Sequence, residues 1–235
     1  FNAVTRTTYA GLVNYIVDFA KVRNYDCIVE SKLASGVSFS NEDVDDLAQS
    51  VGLTLEPRDY QKRAIAHAIS NKRCLLLSPT ASGKSLVIYM LARYYPGKKL
   101  IVVPTTSLVH QMASDFSEYG YEVEVQKITA GATKEITNEI TVTTWQSIYK
   151  LQRKWFDQFS VVIGDEAHLF KAKSLTSIMS KLNNTPYRFG FTGTLDGSQT
   201  HRLVLEGLFG PVERVTTCLL YTSDAADEGL GVDLG

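Results

Sequence analysis

Cysteine is scarce in this chain. Its three cysteines among 235 residues, Cys27, Cys74 and Cys218, lie far apart, with no C-x-x-C spacing and no histidine pair nearby. That excludes a disulfide framework and the usual structural zinc sets, and leaves reduced thiols as the expectation. A dominant charge is lacking too: 24 Lys+Arg stand against 25 Asp+Glu, a formal net charge of −1. Any nucleic-acid surface must therefore be local, and global charge argues neither for DNA nor against it. No apolar run approaches the roughly 20 residues that span a bilayer. The start carries no signal-peptide pattern, although the first residue is Phe1 rather than Met. A soluble cytoplasmic protein with no membrane partner is the expectation. What remains is ordinary: 44% hydrophobic and 21% charged residues, enough for one full domain and an accessory piece.

The stretch Leu75–Leu86 organises the rest. An apolar run from Cys74 to Leu77 stops at Ser78-Pro79, and Gly83-Lys84-Ser85 opens an amphipathic segment. That is a buried strand, a tight loop and a helix N-terminus in succession. The loop N–H groups and the helix dipole make an anion site, and Gly83 lets backbone approach phosphate closely. Lys84 can reach β- and γ-phosphates, and the Ser85 hydroxyl can ligate Mg²⁺. The first glycine of the G-x-x-x-x-G-K-[ST] pattern is replaced by Ser78, so a plain small-residue turn competes with the nucleotide reading. A second element favours the nucleotide. Val161-Val162-Ile163 ends in Gly164-Asp165-Glu166-Ala167-His168, a strand with adjacent carboxylates at its end that could deliver an acid to the same magnesium.

Residues 8–22 place Tyr9, Leu12, Val13, Ile16 and Ala20 on one helical stripe, Tyr25–Val29 reads as a strand, and Ser40 caps an acidic helix start. These suggest a partial small α/β module over 1–55. From Arg58 onward, strands and helices alternate: strand 74–77, helix 84–94, strand 99–103, helix 106–118, strands 122–126 and 139–143, helix 146–158, strand 160–164, helix 174–182, strand 187–192. Continuous apolarity at Leu100–Val103 and Val161–Ile163 predicts strands covered on both faces, hence an α/β fold with a parallel sheet and helices on each side. Functional groups should gather at the carboxyl ends of those strands. From Cys218 to Gly235 there is no Lys or Arg and no periodic apolar pattern. That tail resembles translated adapter sequence, and no function is attached to it.

Taken together the motifs resemble a superfamily 2 helicase with a DEAH-type second motif, specifically its first RecA-like domain, over about 56–217. Within that superfamily Arg58-Asp59-Tyr60-Gln61-Lys62, Leu91-Ala92-Arg93-Tyr94-Tyr95, Val103-Pro104-Thr105-Thr106 and Trp155-Phe156-Asp157-Gln158-Phe159 resemble the UvsW-type recombination helicases of T-even phages. The resemblance implies that Pro79, Thr80, Ala81, Ser82, Gly83, Lys84 and Ser85 form motif I and bind ATP. Gln61 would read the adenine edge, with Arg58 or Tyr60 as stacking candidates. Asp165 would hold Mg²⁺ through water, and Glu166 would be the general base of an in-line phosphoryl transfer. His168 would couple the nucleotide site to Thr192-Gly193-Thr194. Single-stranded DNA, from branched substrates, would run over Pro104, Thr105, Thr106, Gly131, Thr143, Thr144 and Gln146. A helix cap or turn explains each of these last residues equally well; their shared place on successive strand ends favours the track. Trp145 and Trp155 are expected in the core.

The implied activity needs a second RecA-like domain in cis, for which nothing after Val215 has room, so this chain alone is expected to turn ATP over very slowly. The leading expectation is the motor half of an ATP-dependent DNA helicase, phage-encoded and acting in a bacterial host cytoplasm. Rival readings are the translocase subunit of a restriction enzyme and a non-catalytic P-loop ATP-binding protein.

Overall fold

The computed structural model of the chain describes residues 4, 7–29, 37–79, 81–169, 172–195 and 199–215. Thr80 and the 218–235 tail, both assigned above, lie outside the described residues. The helices are α1 (Val13–Val22), α2 (Asn41–Ser50), α3 (Asp59–Asn71), α4 (Lys84–Tyr94), α5 (Thr106–Glu118), α6 (Trp145–Ile148), α7 (Arg153–Phe156), α8 (Ala172–Lys181) and α9 (Gln199–Phe209). The strands are β1 (Arg73–Leu77), β2 (Lys98–Val103), β3 (Gln126–Ile128), β4 (Ile140–Thr144), β5 (Phe159–Gly164), β6 (Tyr187–Thr192) and β7 (Val212–Arg214).

Continuously apolar strands demand cover on both faces, and here they receive it. The strands form one sheet in the order β3-β4-β2-β5-β6-β1-β7, every adjacent pair parallel. Successive side chains alternate between two cores. On β2, Ile101 and Val103 join the core under α3, α4 and α5, whereas Leu100 and Val102 join the one under α6 to α9. The expected α/β architecture is therefore the observed one. Trp145 and Trp155 pack against the second core, as expected. Because β6 lies between β1 and β5, the tips of those three strands sit side by side. Leu77 pairs with Thr192, Gly164 with Gly190, and the Ser78 N–H donates to the Thr192 carbonyl at 2.9 Å.

Three local expectations are corrected. The segment expected as one helix over 146–158 is two short helices, α6 and α7. The chain leaves the helical path at Gln152, which is extended, and Lys181 Nζ donates to the Tyr149 carbonyl beside the break at 2.7 Å. The strand expected at 122–126 pairs only from Gln126 onward; Val123 faces solvent. Tyr25–Val29 forms no strand.

The N-terminal stripe is also displaced. A 3₁₀ turn at Ala10–Leu12 crosses α9 so closely that a Cβ on Gly11 would lie 1.9 Å from the Glu206 carbonyl oxygen. Tyr15 then donates to Glu206 Oε2 at 2.6 Å. That approach turns Gly11, not the predicted stripe, inward: Ala20 is buried, but Ile16 is 45% exposed. On another side Ser40 caps α2 with a reciprocal box, Asp43 N–H to Ser40 Oγ (3.2 Å) and Ser40 N–H to Asp43 Oδ2 (2.6 Å). α2 buries Val44 and Ala48 in the first core.

Candidate nucleotide site and neighbouring groove

The loop after β1 is braced from within. Ser78 Oγ and Ser82 Oγ are 2.5 Å apart, and Ser82 Oγ donates to the Pro79 carbonyl at 2.7 Å. Both serines are buried, which accounts for a hydroxyl where the pattern has glycine. Gly83 closes the loop in the left-handed region (φ +68), immediately before α4. Gln61, 5% exposed, clamps it: Nε2 donates to the Ser82 and Gly83 carbonyls at 3.3 and 3.2 Å, and Oε1 accepts from Arg58 N–H at 2.9 Å. Tyr60 OH donates to the same Ser82 carbonyl (3.2 Å) and accepts from Arg58 Nη1 (3.3 Å). Arg58, Tyr60 and Gln61 thus converge on the loop, but the Gln61 amide is spent on backbone rather than held out for a base edge. Ala81 has φ +64, a conformation that costs an alanine about 1 kcal/mol or more.

The carboxylates of β5 meet this loop. Lys84 Nζ forms an ion pair with Glu166 Oε1. Glu166 takes a left-handed turn (φ +48), and Asp165 Oδ1 accepts its N–H at 3.0 Å. In an extended strand adjacent side chains point to opposite faces; this turn lets Asp165 and Glu166 line one cavity. That cavity, of about 310 Å³, is also lined by Ala81, Gly83, Lys84, Ser85 and Asp115. Burial pushes the Asp165 carboxyl up to about 6, Lys84 pulling it back and Glu166 adding to the rise.

His168 continues the chain of contacts. Its Nδ1 lies 3.4 Å from Glu166 Oε2 and 2.8 Å from Thr192 Oγ1, and Thr192 Oγ1 donates to the Thr194 carbonyl at 2.7 Å. The direction of the Thr192–His168 hydrogen bond follows the imidazole tautomer, since the threonine hydroxyl can donate to one neighbour and accept from the other. Glu166, His168, Thr192 and Thr194 form one connected path between the two strand tips.

A second concavity, about 580 Å³, opens beside β2 and β4. Pro104, Thr105, Thr106, Gly131, Thr144 and Gln146 all line it, joined by Ala130, Lys134 and Ser147. Thr105 caps α5 through Leu108 N–H (3.4 Å), and Gln146 Nε2 donates to the Pro104 carbonyl (3.4 Å). Thr143 is the exception. It is fully buried, and its hydroxyl donates to the Ile128 carbonyl at 2.8 Å, so it faces the sheet rather than the groove.

A protein-family profile described as "Type III restriction enzyme, res subunit" matches residues 54–197, more than half of the chain. The chain belongs to that family. It is the first RecA-like domain of a superfamily 2 helicase. It is 35% identical over 239 residues to the ATP-dependent DNA helicase uvsW of Enterobacteria phage T4, covering 95% of this chain and 47% of that protein. It is 30% identical over 158 residues to the DNA 3'-5' translocase XPB2 of Sulfurisphaera tokodaii, covering 67% of this chain and 35% of the translocase. The crystal structure of T4 UvsW superposes with a TM-score of 0.83 at 35% identity, over 91% of this chain and 46% of that one. The chain thus spans about half the length of UvsW, and the helicase family to which it belongs acts with ATP.

Two residues of these sites escaped motif reading. Asp115 and Lys134 carry no spacing signal of their own; packing brings them into the two cavities. Lys134 was hidden in a loop, where its Nζ donates to the Thr129 carbonyl at 2.9 Å and burial lowers its basicity.

Proposed function

We propose that this chain is the ATP-binding motor domain of a DNA helicase or translocase that remodels branched DNA. The observation that carries the reading is the contact between Lys84 and Glu166, two groups from separate strand tips meeting over one cavity. In this reading the ion pair holds the place of the triphosphate: bound ATP draws Lys84 onto its phosphates and frees Glu166 to orient a water for in-line attack. Arg58 and Tyr60 flank the base. The donor set suits magnesium. Ser85 and Asp165 line the cavity without a cluster of three metal-binding side chains among the described residues, and a magnesium ion bound by one or two protein groups keeps its waters and uses the phosphates.

DNA backbone would lie in the groove of Pro104, Thr105, Thr106, Gly131, Thr144 and Gln146, where hydroxyls, helix ends and Lys134 suit phosphate. His168 and Thr192 would report nucleotide state to that track. We place the boundary of the motor near residue 55 and assign branched-DNA activity to a protein with a second RecA-like domain. Such a domain supplies arginine fingers, worth about 10³–10⁵ in rate. The matching family profile favours one other reading, the translocase subunit of a restriction enzyme, which a nuclease or methyltransferase partner would distinguish.

The test is steady-state ATP hydrolysis by the purified 235-residue chain, with and without single-stranded and forked DNA, beside a two-domain relative. Turnover at least a hundredfold below the relative is expected. Comparable DNA-stimulated turnover would overturn the division of labour proposed here.

A further inference from the structure

Gln61 stands behind the phosphate loop rather than in the nucleotide cavity. The described residues lining that cavity include Gly83 and Lys84 but not Gln61, which is 5% exposed. The Gln61 amide nitrogen donates to two consecutive carbonyls, those of Ser82 (3.3 Å) and Gly83 (3.2 Å). Each carbonyl has a second donor as well: Tyr60 OH for Ser82 and the Leu86 N–H for Gly83, both at 3.2 Å. A carbonyl oxygen has two lone pairs, so both are fully engaged and fixed in direction. In a trans peptide the N–H points opposite to the C=O across one plane. Holding the Ser82 and Gly83 carbonyls toward Gln61 turns the N–H groups of Gly83 and Lys84 away from it. That is the side on which those two residues line the cavity.

We propose that Gln61 is a positioning residue for the phosphates and takes no part in choosing the base. The proposal rests on the nucleotide reading above. Backbone N–H groups at a helix start suit anions, and two of them aimed in advance spare a bound triphosphate the cost of ordering the loop. Reading an adenine edge would need a free amide hydrogen together with a lone pair. The amide nitrogen is engaged on the loop, so pairing with a base would release the carbonyls that aim the donors. The base is left to stack on Arg58 and Tyr60, which flank it in that reading, and a ring face is common to every base. Adenine and guanine triphosphates should therefore bind alike.

The experiment uses the full 235-residue chain and a fluorescent ATP analogue in Mg²⁺, displaced by ATP, GTP or inorganic tripolyphosphate. Wild type, Gln61→Ala, Gln61→Met and Lys84→Ala are compared. In wild type, ATP and GTP should compete within about threefold of each other, less than one hydrogen bond. A site that paired the adenine edge would favour ATP by roughly a hundredfold or more. Gln61→Ala should weaken ATP, GTP and tripolyphosphate by one common factor of about tenfold, the share of two neutral hydrogen bonds. Gln61→Met keeps the length and bulk without the amide, so it should match Gln61→Ala. The number of sites per chain should not change in either variant, because a merely structural role would lose sites through unfolding while the remaining sites kept their affinity. A wild-type preference for ATP above about threefold overturns the proposal while leaving the nucleotide site standing. So does a Gln61 variant that weakens ATP but not tripolyphosphate, and so do Gln61 variants with wild-type affinity, whether or not sites are lost. Wild type that binds no nucleotide, or Lys84→Ala that binds as well as wild type, overturns the site reading itself.

Discussion

Gly83→Ala is the most informative single change, because its cost can be worked from the structure. The added Cβ would lie 2.4 Å from Gln61 Nε2. A flexible surface side chain would swing aside, but Gln61 is buried and its amide makes three hydrogen bonds to backbone. Displacing Nε2 from the Ser82 and Gly83 carbonyls costs about 1–3 kcal/mol. Holding alanine at φ +68 adds about 1 kcal/mol. The sum, about 2–4 kcal/mol, should lower the thermal midpoint by roughly 2–4 °C per kcal/mol for a chain of this size. Urea unfolding of wild type, Gly83→Ala, Gln61→Ala and the double variant isolates the contact. With the amide gone, Gly83→Ala should cost only its backbone share, giving a coupling of about 1–3 kcal/mol. Additivity within about 0.5 kcal/mol would refute the reasoning, since it would mean that Gln61 is not what excludes a side chain at position 83.

Other expectations follow from the same contacts. Lys134→Ala should weaken DNA binding evenly across sequences and reduce the slope of log affinity against log salt by about 1, as fluorescence anisotropy would read. Thr192→Val removes the hydroxyl shared by His168 and Thr194. In a two-domain form of the protein it should leave ATP affinity intact while DNA stimulation of turnover falls by roughly tenfold. Ser40→Ala should destabilise the chain by about 1 kcal/mol in urea unfolding through loss of the α2 cap. The pH dependence of that cap has a definite sign. The Ser40 backbone N–H, then its hydroxyl, hold the Asp43 carboxyl below the usual carboxylate range. The contribution is therefore present above that range and is lost as the pH falls through the lowered value.

The places where sequence and structure agree share a physical cause. α4 and α5 begin and end where expected, because Gly83, Thr105 and Gly120 punctuate them locally, and β6 is fixed by its uninterrupted buried run. The two strand-end motifs were legible for the same reason: each is a contiguous stretch whose chemistry does not depend on a distant neighbour. What was missed depended on distant neighbours. The break between α6 and α7 falls at extended Gln152, where Lys181 from a distant helix bonds the nearby Tyr149 carbonyl, and no Gly or Pro between them announces it. Gly11 replaced the apolar stripe because α9 approaches it from nearly two hundred positions along the chain. Thr143 and Thr144 look interchangeable as letters, yet the sheet's alternation buries the first hydroxyl and leaves the second at the groove. Asp115 became visible only when α5 was packed beside α4.

The central claim is that Lys84, Ser85, Asp165 and Glu166 bound one magnesium-dependent triphosphate site. Equilibrium titration of the chain with a fluorescent ATP analogue in Mg²⁺ tests it most directly when wild type is set against Lys84→Ala. Saturable binding to wild type and at least a tenfold loss in the variant are expected, the share of a charged contact to phosphate. Equal affinity in the two proteins would contradict the account.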